Sequence, residues 1–393
     1  MRVNTTQLLG GMSPVEFLQE YWQKQPLLIH AALPGFESSI SPDELAGLAC
    51  EEGINSRIVL EQGLDQNRSS PWQVIYGPQE ESIFSHLPES NWTLLITDVE
   101  KHLHELADLL DKFRFIPDWR IDDLMISYAA PGGSVGPHVD EYDVFLLQAK
   151  GQRRWQISLQ KNHADNFIPG LELRILKEFV PEREWVLNPG DMLYLPPGIP
   201  HHGIALNECI TYSIGFRAPS YAEMLTGFIE YIIQSRPISQ RYQDPDLCVQ
   251  QNPGEITESS LAKVQNLLAQ MMVSKADLVE EWFGRFVTEP KNHYLIPPEK
   301  TLKDFRDWCS CFKQAGVCIK HPASRFAFAS KGTMARLFVD GEAHTIGISF
   351  AELLCGERTL RYDASLLSSL SDDEQQLIVK LYNQGSLYFP DDG

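Results

Sequence analysis

The chain has 393 residues, 43% apolar and 22% charged, with a formal net charge of −20. That length exceeds one ordinary domain and supplies a sizeable core without disulfide or metal staples. The negative charge opposes attraction to nucleic-acid phosphate and favours a basic partner.

No run approaches the ~18 consecutive apolar residues of a membrane-spanning helix, and the first residues lack the apolar run of a secretory signal. The seven cysteines are an odd number with no C-x-x-C pair, which suits a reducing, cytoplasmic compartment.

In chain order, Ser13-Pro14-Val15-Glu16 and Ser41-Pro42-Asp43-Glu44 have the form of helix starts, with serine at the cap and proline at the first helical position. Short strands are expected at 27–29, 55–60 and 72–76, and a helix over 99–110 from apolar positions 99, 103, 106 and 110. From residue 119 to 218 short β-rich runs alternate with turn signals, as in a β-barrel or sandwich.

Within that stretch, Gly136-Pro137-His138-Val139-Asp140 places an imidazole and a carboxylate two residues apart. On a strand such residues share a face. A histidine from a later strand would complete a 2-His-1-carboxylate set, which leaves half an octahedral metal open and suits non-haem Fe(II) oxygen chemistry. The turn Pro196-Pro197-Gly198-Ile199-Pro200 delivers two candidates, His201 and His202, and spacing alone does not separate them. Two ligands near one strand start and a third beyond a later strand form the layout of a double-stranded β-helix, or jelly roll.

After Arg217 the pattern becomes helical, with stripes over 221–232, 261–272 and 278–286 that suggest a small bundle pairing two protomers. The remainder shows a helix at 301–315, a hairpin turning at Asp340-Gly341, and a final helix opened by Ser371-x-x-Glu374. Helices followed by a hairpin suggest a winged-helix shape. The charge there is near balance with no basic run, so DNA binding is not expected. The expected architecture is a mostly β core with α additions: a catalytic domain over 1–219, a helical dimerisation segment over 220–295, and a winged-helix-like domain over 296–393.

The runs Trp119–Ser127, Gly136–Phe145, Tyr194–His201 and Tyr212–Pro219, with the early Tyr21–Leu27, resemble the bacterial JmjC ribosomal oxygenases. The resemblance spans the whole chain. It implies a JmjC/cupin-like jelly roll that uses Fe(II), 2-oxoglutarate and O2 to hydroxylate an arginine at Cβ in a basic large-subunit ribosomal protein, uL16. It further implies that His138, Asp140 and His201 are the iron ligands, with His202 at a variable position.

In Gly151-Gln152-Arg153-Arg154-Trp155 the resemblance favours Arg153 over Arg154 as the partner of the 2-oxoglutarate distal carboxylate. Ser213 is a candidate for a supporting hydrogen bond. An arginine target needs an acidic or aromatic wall, and Asp122, Asp123, Glu141, Tyr142 and Asp143 lie near the ligands in sequence. Two other readings compete: a 2-oxoglutarate oxygenase with another protein target or demethylase activity, and a non-catalytic cupin/winged-helix regulator.

Overall fold

The computed structural model describes residues 5–61, 72–160, 166–171, 173–235, 241–249, 252, 254–272, 276–290, 297–298 and 301–390. The chain forms two compact units, Met1–Ala218 and Pro219–Gly393.

The first unit opens with short helices α1 (Thr5–Leu8), α2 (Pro14–Glu20) and α3 (Pro42–Cys50). Ser13 and Ser41 accept hydrogen bonds from the amides of Glu16 and Glu44, and at Ser41 the Glu44 carboxylate returns the bond. The strands are β1 (Leu27–Ile29), β2 (Ser56–Leu60), β3 (Gln73–Tyr76), β4 (Trp92–Ile96), β5 (Ile121–Ala129), β6 (Val144–Lys150), β7 (Arg153–Ile157), β8 (Arg183–Leu187), β9 (Met192–Leu195), β10 (His201–Ala205) and β11 (Cys209–Phe216). Eight make one sheet in the order β1-β9-β6-β11-β5-β4-β2-β3, and β10-β7-β8 make a second.

Strand alternation decides what each face touches. Ile210, Tyr212, Ile214 and Phe216 of β11, with Phe145 and Leu147 of β6, pack under the helices against Phe17 and Phe113. The opposite face of β6 turns Val144 and Leu146 to the small sheet, where they meet Trp155, Ile157 and Leu187. The middle of the large sheet is therefore covered on both sides.

The helix expected over 99–110 is instead 3-10 turns at Val99–Lys101 and His104–Leu106, followed by α4 (Ala107–Leu110). Val99, Leu106 and Leu110 are still buried. The first turn serves another purpose, because Glu100 reaches across to accept the amide of Leu124 on β5 at 3.0 Å. Asp98 pairs with the buried Lys101 ammonium beside it.

The second unit carries α5 (Tyr221–Ser235), α6 (Glu258–Met272), α7 (Ala276–Thr288) and α8 (Phe305–Ala315), then β12 (Val317–Lys320), β13 (Phe326–Lys331), β14 (Met334–Val339) and β15 (Glu342–Gly347). It closes with α9 (Ile348–Gly356), β16 (Thr359–Arg361), α10 (Ala364–Ser369), α11 (Asp372–Asn383) and β17 (Leu387–Tyr388). Asp340 and Gly341 both take positive φ, 50° and 82°, the tight-hairpin geometry their pairing implies. Phe228 and Ile232 of α5 pack on Trp282 of α7. Lys331 and Arg336, the cations of the β13–β14 hairpin, are paired with Asp277, Glu280 and Glu281 of α7. The expected 295/296 boundary lies outside the described residues. No described helix is long and apolar enough to cross a membrane.

Burial raises the pKa of Glu100 to about 8, with Lys101 opposing and Asp123 reinforcing the shift. A folded-state value above the unfolded one means the proton stabilises the fold. That contribution is complete below the ordinary carboxylate value and is lost as pH rises through about 8. Glu100→Gln removes this dependence. Its stability relative to the parent should rise by on the order of 2 kcal/mol between pH 6 and 8. Denaturant melts at both pH values measure it, and a pH-independent difference would show that Glu100 does not carry the proton.

Candidate metal centre

His138 lies between β5 and β6 and is joined to the start of β10 by an antiparallel bridge. The His138 amide donates to the His201 carbonyl at 3.0 Å, and the His201 amide to the His138 carbonyl at 2.9 Å. The Gly198 amide donates to the Asp140 carbonyl at 2.8 Å, so the Pro-Pro-Gly turn is laced to the His-x-Asp segment.

The side chains converge. His138 Nε2 is 3.8 Å from Asp140 Oδ1 and His201 Nε2 is 3.6 Å from Oδ2. The three donor atoms all lie within 4.8 Å of one another. His138 Nδ1 is 2.9 Å from the Gly136 carbonyl and His201 Nδ1 is 2.9 Å from that of Ile199. A proton on each Nδ1 satisfies those carbonyls and leaves both Nε2 lone pairs facing the carboxylate. Burial pushes the pKa of His201 down to about 4, with His138 adding to the shift and Asp140 opposing it. Two neutral imidazoles and a carboxylate on one face suit a divalent first-row metal. Bonds of about 2.1 Å at right angles place donors roughly 3 Å apart, so each histidine closes on the Asp140 carboxylate by less than about an ångström.

His202 takes the other face of β10, and its ring meets Phe179 edge-on at 6.1 Å. The structure thus separates the two histidines that spacing left open. At Gly203 a Cβ would come within 2.7 Å of the Trp155 ring, which lies 5.9 Å from the His201 ring. Only a bare backbone lets that indole wall the centre.

Arg153 and Arg154 part in the same way. Arg154 faces outward, with Nε 3.6 Å from Glu184. Arg153 is 4% exposed, on the inner face of β7. Its Nη1 donates to Ser127 Oγ at 3.2 Å and Thr211 Oγ1 at 3.3 Å. Among the described residues no carboxylate pairs with it, and its Nε is buried without a partner. Desolvation lowers its pKa, with Cys209 opposing, but guanidinium stays charged. Arg153 pairs with Ala205, four residues along β10 from His201, roughly 13 Å by strand rise. A buried cation at that distance behind a metal face fits an elongated keto-dicarboxylate, which would supply the missing negative charge.

Residues 108–224 match the JmjC domain family and residues 266–388 a ROXA-like winged helix. The chain is 40% identical over 306 residues to the ribosomal protein uL16 3-hydroxylase of Escherichia coli K12, covering 78% of this chain and 79% of that one. It belongs to the JmjC ribosomal oxygenases.

A probable ribosomal oxygenase of Haemophilus influenzae is 36% identical over 272 residues, covering 65% of this chain and 63% of that one. The crystal structure of E. coli YcfD superposes with a TM-score of 0.82 at 33% identity, covering 96% of this chain and 98% of that one. The same ribosomal oxygenase in complex with cobalt and 2-oxoglutarate gives 0.80 at 32% identity, with the same coverage. The jelly roll followed by a winged helix is the architecture of this family.

Within the ribosomal oxygenase barrel, Ser213 lies on the inner face of β11, paired with Met125 and Leu146. The hydroxyls that reach Arg153 are those of Ser127 and Thr211, which sequence reasoning missed. Their signal was a polar residue at an inward position of an otherwise apolar buried strand.

At the rim, Tyr142 is 43% exposed. Desolvation first, then Asp140, Asp123 and Asp122, hold its hydroxyl far above its usual pKa, with Arg57 opposing. Glu141 is exposed beside it. Asp143 is a correction. It is fully buried, and its carboxylate accepts bonds from Tyr194 Oη at 2.6 Å, Gln23 Nε2 at 2.9 Å and Arg120 Nη2 at 3.2 Å. It clamps the fold and offers nothing to a substrate.

Asp143→Ala should cost about 3–5 kcal/mol by leaving the Arg120 cation uncompensated. Urea denaturation measures this, and a loss under about 1 kcal/mol would reduce the clamp to a surface-type pair. For the metal face, calorimetric titration with Mn(II) should show binding lost in His201→Ala and kept in His202→Ala. The reverse result would place the wrong histidine at the centre.

Proposed function

We propose that the chain is an Fe(II)- and 2-oxoglutarate-dependent protein hydroxylase that oxidises the Cβ of an arginine in ribosomal protein uL16. In this reading His138, Asp140 and His201 hold the iron and Arg153 anchors the distal carboxylate of 2-oxoglutarate. The observation that carries it is the buried, uncompensated Arg153 guanidinium facing the same interior as the His-Asp-His face. The activity named for the E. coli relative supports the target class.

Iron, 2-oxoglutarate and oxygen together supply the C–H oxidation, with release of succinate and carbon dioxide. The protein's share is placement. The carbonyls of Gly136 and Ile199 hold both imidazoles in one tautomer. Trp155 and the apolar residues between the sheets keep water from the interior. Asp122, Asp123, Glu141 and Tyr142 form an acidic and aromatic rim suited to a guanidinium, while the net charge of −20 draws a basic ribosomal protein toward the enzyme.

The reading also includes a cytoplasmic homodimer formed through the helical segment over 220–295, ahead of a winged-helix domain over 296–393. Tyr221, Leu225, Ile229 and Ile233 of α5 recur at every fourth residue and are exposed, on a different face from Phe228 and Ile232. Leu261, Val264, Leu267 and Leu268 of α6 are exposed as well. Two such stripes suit burial against a second copy.

The test is mass spectrometry of uL16 incubated with the protein, Fe(II), 2-oxoglutarate and oxygen. A gain of one oxygen on an arginine, matched one for one by succinate, is the expected result. Arg153→Ala should raise the KM for 2-oxoglutarate on the order of a hundredfold. Formaldehyde without retained oxygen would indicate a demethylase, and binding of the keto acid with no turnover on any protein would indicate a regulator.

A further inference from the structure

We infer that Gln148 is a positioning residue for co-substrate binding: through Thr211 it orients the acceptor that aims Arg153, and so sets the preference for a keto acid with a distal carboxylate. This rests on the reading of Arg153 as the anchor for that carboxylate.

Ser127, Thr211 and Gln148 lie side by side across β5, β11 and β6. Thr211 pairs with Ser127 on one side and with Gln148 on the other. The Gln148 pairing continues the register that runs from Gly215 and Val144, and the β11–β6 register shifts only beyond it, between Thr211 and Ile210. All three residues are buried, Gln148 and Thr211 almost completely. Apolar side chains would fill these inward positions at no polar cost, so this polar row has a use beyond packing.

The donors run in one direction. Gln148 Nε2 donates to the Lys150 carbonyl at 2.8 Å, which fixes the amide and presents Oε1 to Thr211. Thr211 Oγ1 donates to that Oε1 at 3.1 Å. With its hydrogen committed there, the Thr211 hydroxyl meets Arg153 Nη1 with a lone pair, at 3.3 Å. Without Gln148 the Thr211 hydrogen loses its acceptor, the hydroxyl is no longer held in one orientation, and its bond from Arg153 Nη1 is weakened.

The experiment uses the full-length protein loaded with Mn(II) and isothermal titration with two ligands. One is 2-oxoglutarate. The other is 2-oxopentanoate, the same carbon chain with a methyl group in place of the distal carboxylate. Gln148→Leu and Thr211→Val should bind 2-oxoglutarate roughly tenfold more weakly, with 2-oxopentanoate affinity unchanged, and Thr211→Ser should retain parental affinity. Variants that keep the parental preference for 2-oxoglutarate would overturn the relay while leaving the function intact. Equal weakening toward both ligands would reduce the row to a structural role and also overturn it. A parent protein without preference between the two ligands would overturn the reading of Arg153, and the relay with it. Should Gln148→Leu fail to fold, the Thr211 pair decides.

Discussion

The reciprocal backbone bonds between His138 and His201 are the constraint on which the centre depends. They bring a loop after β5 and the first residue of β10 into one antiparallel register. Two imidazoles separated by 63 positions then face one carboxylate. A slip of one residue would send His202 inward and His201 out, because the side-chain period of a strand is two. The Gly198–Asp140 bond and the Trp155–Gly203 packing resist that slip from either side. Precision here comes from main chain and ring packing, while the ligands themselves need only two carbonyls to hold their tautomers.

Arg153 supplies the second half of the design. A buried cation without an anion costs stability, and the barrel compensates only in part, with two hydroxyls and the Trp155 face. On the proposed function a dianion completes that compensation, which links ligand binding to fold stability there.

Much of this was legible in the residues alone. The His-x-Asp pair, the Pro-Pro-Gly turn and the Gly-x-Arg-Arg-Trp run are local, and local chemistry survives without knowledge of partners. Capping serines and the Asp340-Gly341 turn were equally direct. What escaped was non-local. Asp143 resembles a rim carboxylate in the sequence because Arg120 and Gln23, its partners, are 23 and 120 positions away. Ser127, Thr211 and Gln148 gain meaning only when three strands pair in a particular register. The apolar spacing over 99–110 suggested a helix because it reports which residues are buried, and the same burial is met by tight turns once Glu100 is claimed by β5.

The Asp143 cluster also bears on where this catalytic unit can be cut. The JmjC match begins at residue 108. Yet Phe17 comes from α2 and Gln23 from the turn after it, β1 pairs with β9, and β4 pairs with β5. Excising the matched segment would strip four strands from the large sheet, β1 from one edge and β4, β2 and β3 from the other, bare an apolar layer built on Phe145 and Phe216, and take Gln23 from the Asp143 carboxylate. The smallest autonomous fragment is therefore set by hydrogen bonding and burial, and it reaches back roughly a hundred residues before the portion by which the family is recognised.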